Sequence, residues 1–132
     1  MPEIVPNWHP MSVHLTIGIL SASVVLCVAA LFAGTGGLAQ NLRLGARINL
    51  WLGVLATVGT LLTGWYAYNT VPHDAESHQV MTTHRNWALG TAAAFALLAL
   101  WAFRLWLRKQ REGVVFALAL LVAAVPMTVT GF

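Results

Sequence analysis

The sequence predicts an all-α integral membrane protein, a four-helix bundle filling residues 1–132 as a single transmembrane domain. Two observations carry this. Hydrophobic residues make up 58% of the chain and charged residues only 8%, well away from the balance of a water-soluble domain. Four apolar stretches, at about 11–33, 48–68, 87–107 and 114–130, are each about as long as a helix needs to cross a hydrocarbon core of ~30 Å at ~1.5 Å per residue.

The first span follows the segment MPEIVPNWHP, whose only charged side chain is Glu3. A secretory signal opens with basic residues, so this span is expected to be retained as a helix. Pro10 suits a first helical turn, where a missing N–H has no partner to lose. Cys27 is the only cysteine and is expected to act as a small buried hydrophobe. Residues 34–47 are expected as a loop before the second span. That span ends in GWYAYNTVPHDAE, an aromatic anchor followed by a turn. Asp74 is placed to cap the third helix, with Glu76 in its first turn, so this helix begins near Ala75 and enters the membrane near Asn86. Pro126 should kink the fourth span near its end.

Sorting the charges by loop sets the expected orientation. Arg43, Arg47, Arg104, Arg108, Lys109 and Arg111 flank the 34–47 loop or the tight turn at 108–113. The other side has Arg85 with Glu3, Asp74 and Glu76. Short loops rich in Lys and Arg stay in the cytoplasm. The protein is therefore expected in a bacterial inner membrane, multi-pass, with both termini periplasmic. Interfacial aromatic residues agree, with Trp8, Trp65, Tyr66, Tyr68 and Trp87 at the outer level and Trp51 and Trp106 at the inner. Trp101 is left to face lipid or pack in the bundle.

All five histidines, His9, His14, His73, His78 and His84, then fall on the outer side. Amphipathic side chains collect at interfaces without further purpose, but an ionisable residue at the edge of a span points to function. His14 shares a helical face with Gly18 and Ser21, and His84 with Ala88 and Thr91. Strips of small residues let helices approach closely. Below a histidine they also leave room for a flat macrocycle, whose iron can be held by imidazoles from facing helices. His14 and His84 are the expected ligand pair, with Gly18 and Ala88 beneath them and Arg85 as the cation for haem propionates. His9, His73 and His78 are the lesser candidates. His9 and His14 differ by roughly 140° around a helix, and His78 and His84 by about 120°, so neither pair serves one metal from one face. Spacings for a conventional zinc site are absent. Met11 and Met81 leave Cu(I) chemistry open, since thioethers suit that ion.

The segment HPMSVHLTIG, residues 9–18, resembles the HPxxVHFPIG signature of a family of small bacterial four-helix membrane proteins, catalogued as domain of unknown function 2231. The region around Gly64 and the segment HRNWAL opening the third span are also similar to that family's pattern. Leu15-Thr16 stands where the family usually has Phe-Pro. The resemblance implies haem b held by the histidines at positions 14 and 84.

The expected function is thus a membrane-bound b-type cytochrome that transfers electrons at the outer side, as a subunit of a larger redox complex. Two alternatives stand beside it: a cofactor-free accessory or anchor subunit, and a copper or other metal-handling membrane protein. Expected partners are membrane lipid, other redox subunits or a soluble c-type cytochrome, with quinone a further candidate and nucleic acid excluded. The chain alone has no paired-carboxylate site and no activated nucleophile, so catalysis by itself is not expected. No span carries a carboxylate or lysine at mid-membrane depth, which argues against a transporter.

Overall fold

The computed structural model describes residues 8–72 and 74–131. They form α1 (His9–Phe32), α2 (Gly37–Thr70), α3 (Ala75–Leu107) and α4 (Val114–Gly131). Each helix packs on its sequence neighbour and α4 closes the ring against α1, so α1 and α3 face one another diagonally. α1, α2 and α3 are long and apolar enough to cross a membrane, and α4 is a shorter apolar helix. At 34 and 33 residues, α2 and α3 run about 50 Å and overshoot the bilayer core. Glu3 and His73 lie outside the described residues.

α1 starts with proline in its first turn, as expected, and stops at Gly34, whose φ of 76° reverses the chain at little cost in a residue without Cβ. α2 begins much earlier than expected. Most of the expected 34–47 loop is helix, because Ala39 and Ala46 give it a buried face that carries Arg43 and Arg47 along with it. Asp74 caps α3 as expected, its carboxylate accepting from the Ser77 N–H at 2.8 Å. α3 ends in a Schellman-type turn, in which Gln110 N bonds Leu105 O at 2.8 Å and Lys109 N bonds Trp106 O at 3.0 Å. Lys109 takes the left-handed position, φ 54°, where glycine is usual. Pro126 lies within α4.

α1 and α2 pack most closely. Gly53 meets the side chain of Leu20, and Gly64 meets the ring of His9. Small residues at such levels let two helix backbones approach. Hydroxyls tie the pair further: Thr16 to Thr60 at 2.7 Å, Ser12 to Thr63 at 2.9 Å, and Ser23 to the Ala46 carbonyl at 2.7 Å. Inside lipid these bonds satisfy groups that have no water to turn to.

The core lies toward the arginine-rich end, where Val24, Cys27, Leu50, Leu98, Phe116 and Leu120 are buried together. Cys27, 2% exposed, behaves as the small hydrophobe expected of it. Trp101 does both things left open for it, keeping one face to the surroundings while its ring packs edge-on against Phe116 at 5.1 Å. Toward the histidine end the bundle is not filled by side chains.

Candidate functional site: a histidine-bounded slot

Between the four helices at the histidine end lies a cavity of about 660 Å³, a size usual for a ligand site. Along α3 it runs from Val80 to Phe95, about 22 Å at helical rise. Its walls are mostly apolar, with Val13, Ile17 and Leu20 from α1, Leu61 from α2, and Phe95 and Met127 from α3 and α4.

Two histidines interrupt that lining. His9 and His84 reach in from diagonal helices, with ring centroids 6.3 Å apart and planes at 87°. Two imidazoles bound to one ion from opposite sides, at metal–nitrogen distances of about 2 Å, have centres about 6 Å apart. His9 is held in place. Its Nδ1 lies 3.3 Å from Thr63 Oγ1, Ser12 Oγ donates to its carbonyl at 2.8 Å, and Gly64 leaves the space its ring occupies. A hydrogen bond to the second ring nitrogen is how a ligating histidine is commonly oriented.

Arg85 also lines the slot, its guanidinium 5.5 Å from the centre of the Tyr68 ring. The Tyr68 hydroxyl in turn lies 3.2 Å from His78 Nε2. This group bridges α2 and α3 at the histidine end. Trp51 bridges the same helices at the other end, donating to the Ala99 carbonyl at 3.3 Å and stacking edge-on with Trp106. Between the two bridges, Trp65 and Leu89 both line the slot and remain well exposed. The slot therefore opens sideways between α2 and α3.

Of the residues expected at the site, the structure brings His84, Arg85 and Ala88 to the slot and leaves His14 and Gly18 on the exposed side of α1. The reason is helical phase. The buried face of α1 is set by Thr16, Leu20 and Cys27, and two residues of helix turn by about 200°, which points His14 away from Thr16. His9 is seven residues from Thr16, nearly two whole turns, and falls on the inner face. His78 is exposed beside Tyr68, Met81 lines the slot, and Met11 is exposed elsewhere on α1. Among the described residues, no three His, Cys, Asp or Glu side chains converge on a common point.

Sequence reasoning passed over Thr63, Gly64 and Tyr68 as site residues. Thr63 and Gly64 follow at one-turn spacing from Thr60, and the pairing of α1 with α2 was the missing information. Glu112 was also passed over. It is 5% exposed and bonds Arg47, and its position in a charged turn gave no sign of burial.

An apolar bundle with a slot at its histidine end is the architecture of a membrane protein with an interior cavity. The family model described as a predicted membrane protein, domain of unknown function 2231, matches residues 6–132, and the chain belongs to that family. No curated protein and no solved structure matches it.

Proposed function

We propose that this protein is a membrane-bound b-type cytochrome, in which the slot would hold the haem and His9 and His84 would bind its iron. The observation that carries the reading is the approach of these two rings, from diagonal helices, to 6.3 Å between centroids in a mostly apolar cavity. One-electron transfer is the chemistry such a group supplies when bound. The chain's part is positional. Thr63 and Gly64 set the His9 ring, the apolar walls limit water and tune the potential, and Arg85 offers a cation to propionates at the slot's outer end. The small side chains of Ala88 and Ala92 leave depth beneath His84.

In this reading the histidine end faces the periplasm of a bacterial inner membrane, following the arginine distribution. Electrons are exchanged there with a soluble c-type cytochrome or with other subunits of a redox complex. The test is haem content. Protein purified from haem-replete membranes should carry about one haem b per chain and give a reduced-minus-oxidised difference spectrum; protein that stays colourless after incubation with hemin rejects the proposal.

The sideways opening between α2 and α3 favours a second reading. An isoprenoid quinone could place its ring between His9 and His84 and leave its tail in the bilayer through the gap beside Trp65 and Leu89. Extraction of quinone from colourless purified protein would select this reading.

A further inference from the structure

The slot is built twice. Every residue that α1 contributes to it has a counterpart on α3 at one constant shift in sequence: His9 answers His84, Val13 answers Ala88, Thr16 answers Thr91, Ile17 answers Ala92 and Leu20 answers Phe95. The register continues below the slot, where Cys27 and Ala102 are both buried. α2 and α4 are related by a second constant shift, in which Leu50 answers Leu120, Gly53 answers Ala123, Thr57 answers Met127 and Thr60 answers Thr130. The cross-helix pairing repeats with the register, since Thr60 bonds Thr16 at 2.7 Å and Thr130 lies 3.3 Å from Thr91. α1 and α3 stand diagonally, as do α2 and α4. Half a turn about the long axis of the bundle therefore carries one hairpin onto the other, and the slot lies on that axis. In many membrane transporters built from internal repeats, the ligand site lies at the interface between the repeats.

The two half-sites match in polar groups and differ in bulk. Each offers one imidazole and, about 10 Å deeper at helical rise, one threonine pair. The hydroxyls of Thr91 and Thr130 each donate to a backbone carbonyl at 2.8 Å, and that of Thr60 does so at 3.0 Å, so neither pair singles out one edge of a ligand by donating to it. Val13 and Ile17 are branched where Ala88 and Ala92 are small. Haem b has a near-symmetry of its own. A half-turn about the line between its two propionates exchanges methyl and vinyl groups and turns the opposite face to each histidine. We propose that the slot accepts this group in both orientations, and that the contrast of Val13 with Ala88 and of Ile17 with Ala92 sets their ratio. The proposal rests on the cytochrome reading above. It makes His9 and His84 equivalent ligands, with no proximal and distal side between them.

The test is proton NMR of the intact protein loaded with hemin, in its ferric low-spin form, where the haem methyl resonances are shifted clear of the protein. At equilibrium two sets of unequal intensity are expected, the minor at least about a tenth of the major, a tenfold ratio corresponding to about 1.4 kcal/mol. A hemin carrying methyl groups in place of both vinyls is two-fold symmetric and should give one set. Exchanging the wall residues, with Val13→Ala and Ile17→Ala on α1 and Ala88→Val and Ala92→Ile on α3, conserves total volume and should reverse the major and minor sets. A single set with ordinary hemin overturns the proposal, as does doubling that persists with the symmetric hemin or a ratio that the exchange does not reverse. Protein that takes up no hemin rejects the cytochrome reading, and the proposal falls with it; uptake with a single set rejects the proposal alone.

Discussion

His9 at the start of α1 and His84 in the third turn of α3 belong to diagonal helices and still place their rings 6.3 Å apart. Only the overshoot of α3 beyond the first turn of α1 allows this meeting. It places the two residues together in a cavity whose walls are otherwise mostly apolar.

Gly64 is the first point at which this arrangement can be tested. A Cβ at this position would lie 2.9 Å from His9 Cε1, closer than real contacts allow, so Gly64→Ala should push the ring off its Thr63 bond. The variant is expected to fold with a loss of about 1–3 kcal/mol and to weaken haem retention. Gly59→Ala, inside α2 with nothing within 4 Å, should leave haem retention unchanged and the melting temperature no lower, as absorbance and thermal melting would show.

Lys109 should behave in the opposite sense. A left-handed residue with a side chain costs roughly 1–2 kcal/mol, and its φ of 54° suits glycine. Lys109→Gly is expected to raise the melting temperature in detergent. An unchanged or lower value would show that the lysine side chain offsets the strain.

How far the sequence revealed the fold can be judged from these elements. The bundle was legible because four apolar runs leave little else for the chain to do, and the Asp74 cap was legible because capping is local. The start of α2 was not, since its first turns mix Gln, Asn and Arg with small residues, and their partners come from Glu112 and α1, distant in sequence. Of the slot's lining, His84 and Ala88 were picked out by the α3 strip of small residues, His84 also by the family resemblance, and Arg85 as the cation on the histidine side. His14 was placed above His9 because it stands at the edge of the span above Gly18 and Ser21, a pattern that does not show which face of the helix is buried. Thr16 and Leu20, read as the inner stripe, would have reversed that order.

Orientation can be read by labelling. With Cys27→Ala as background, an impermeant thiol reagent should reach Ala75→Cys in intact cells and miss Gln110→Cys. Labelling at 110 alone would put the histidine end in the cytoplasm.

Asp74 and Glu76 stand exposed at the start of α3, near the slot's outer end. Acidic groups there should steer a basic c-type cytochrome, with screening over about 8–10 Å at physiological ionic strength. Electron exchange with such a partner is expected to slow as salt rises and to slow in Asp74→Asn with Glu76→Gln. Rates indifferent to both would indicate a partner held permanently within the membrane.

The most direct test of the account is the haem spectrum of single histidine variants. Wild-type protein loaded with haem should be low-spin, as two imidazole ligands require. His9→Ala and His84→Ala should each lose haem or turn it high-spin, while His14→Ala, whose side chain lies outside the slot, should keep the wild-type spectrum. A low-spin, fully loaded spectrum in His9→Ala together with its loss in His14→Ala would contradict the account.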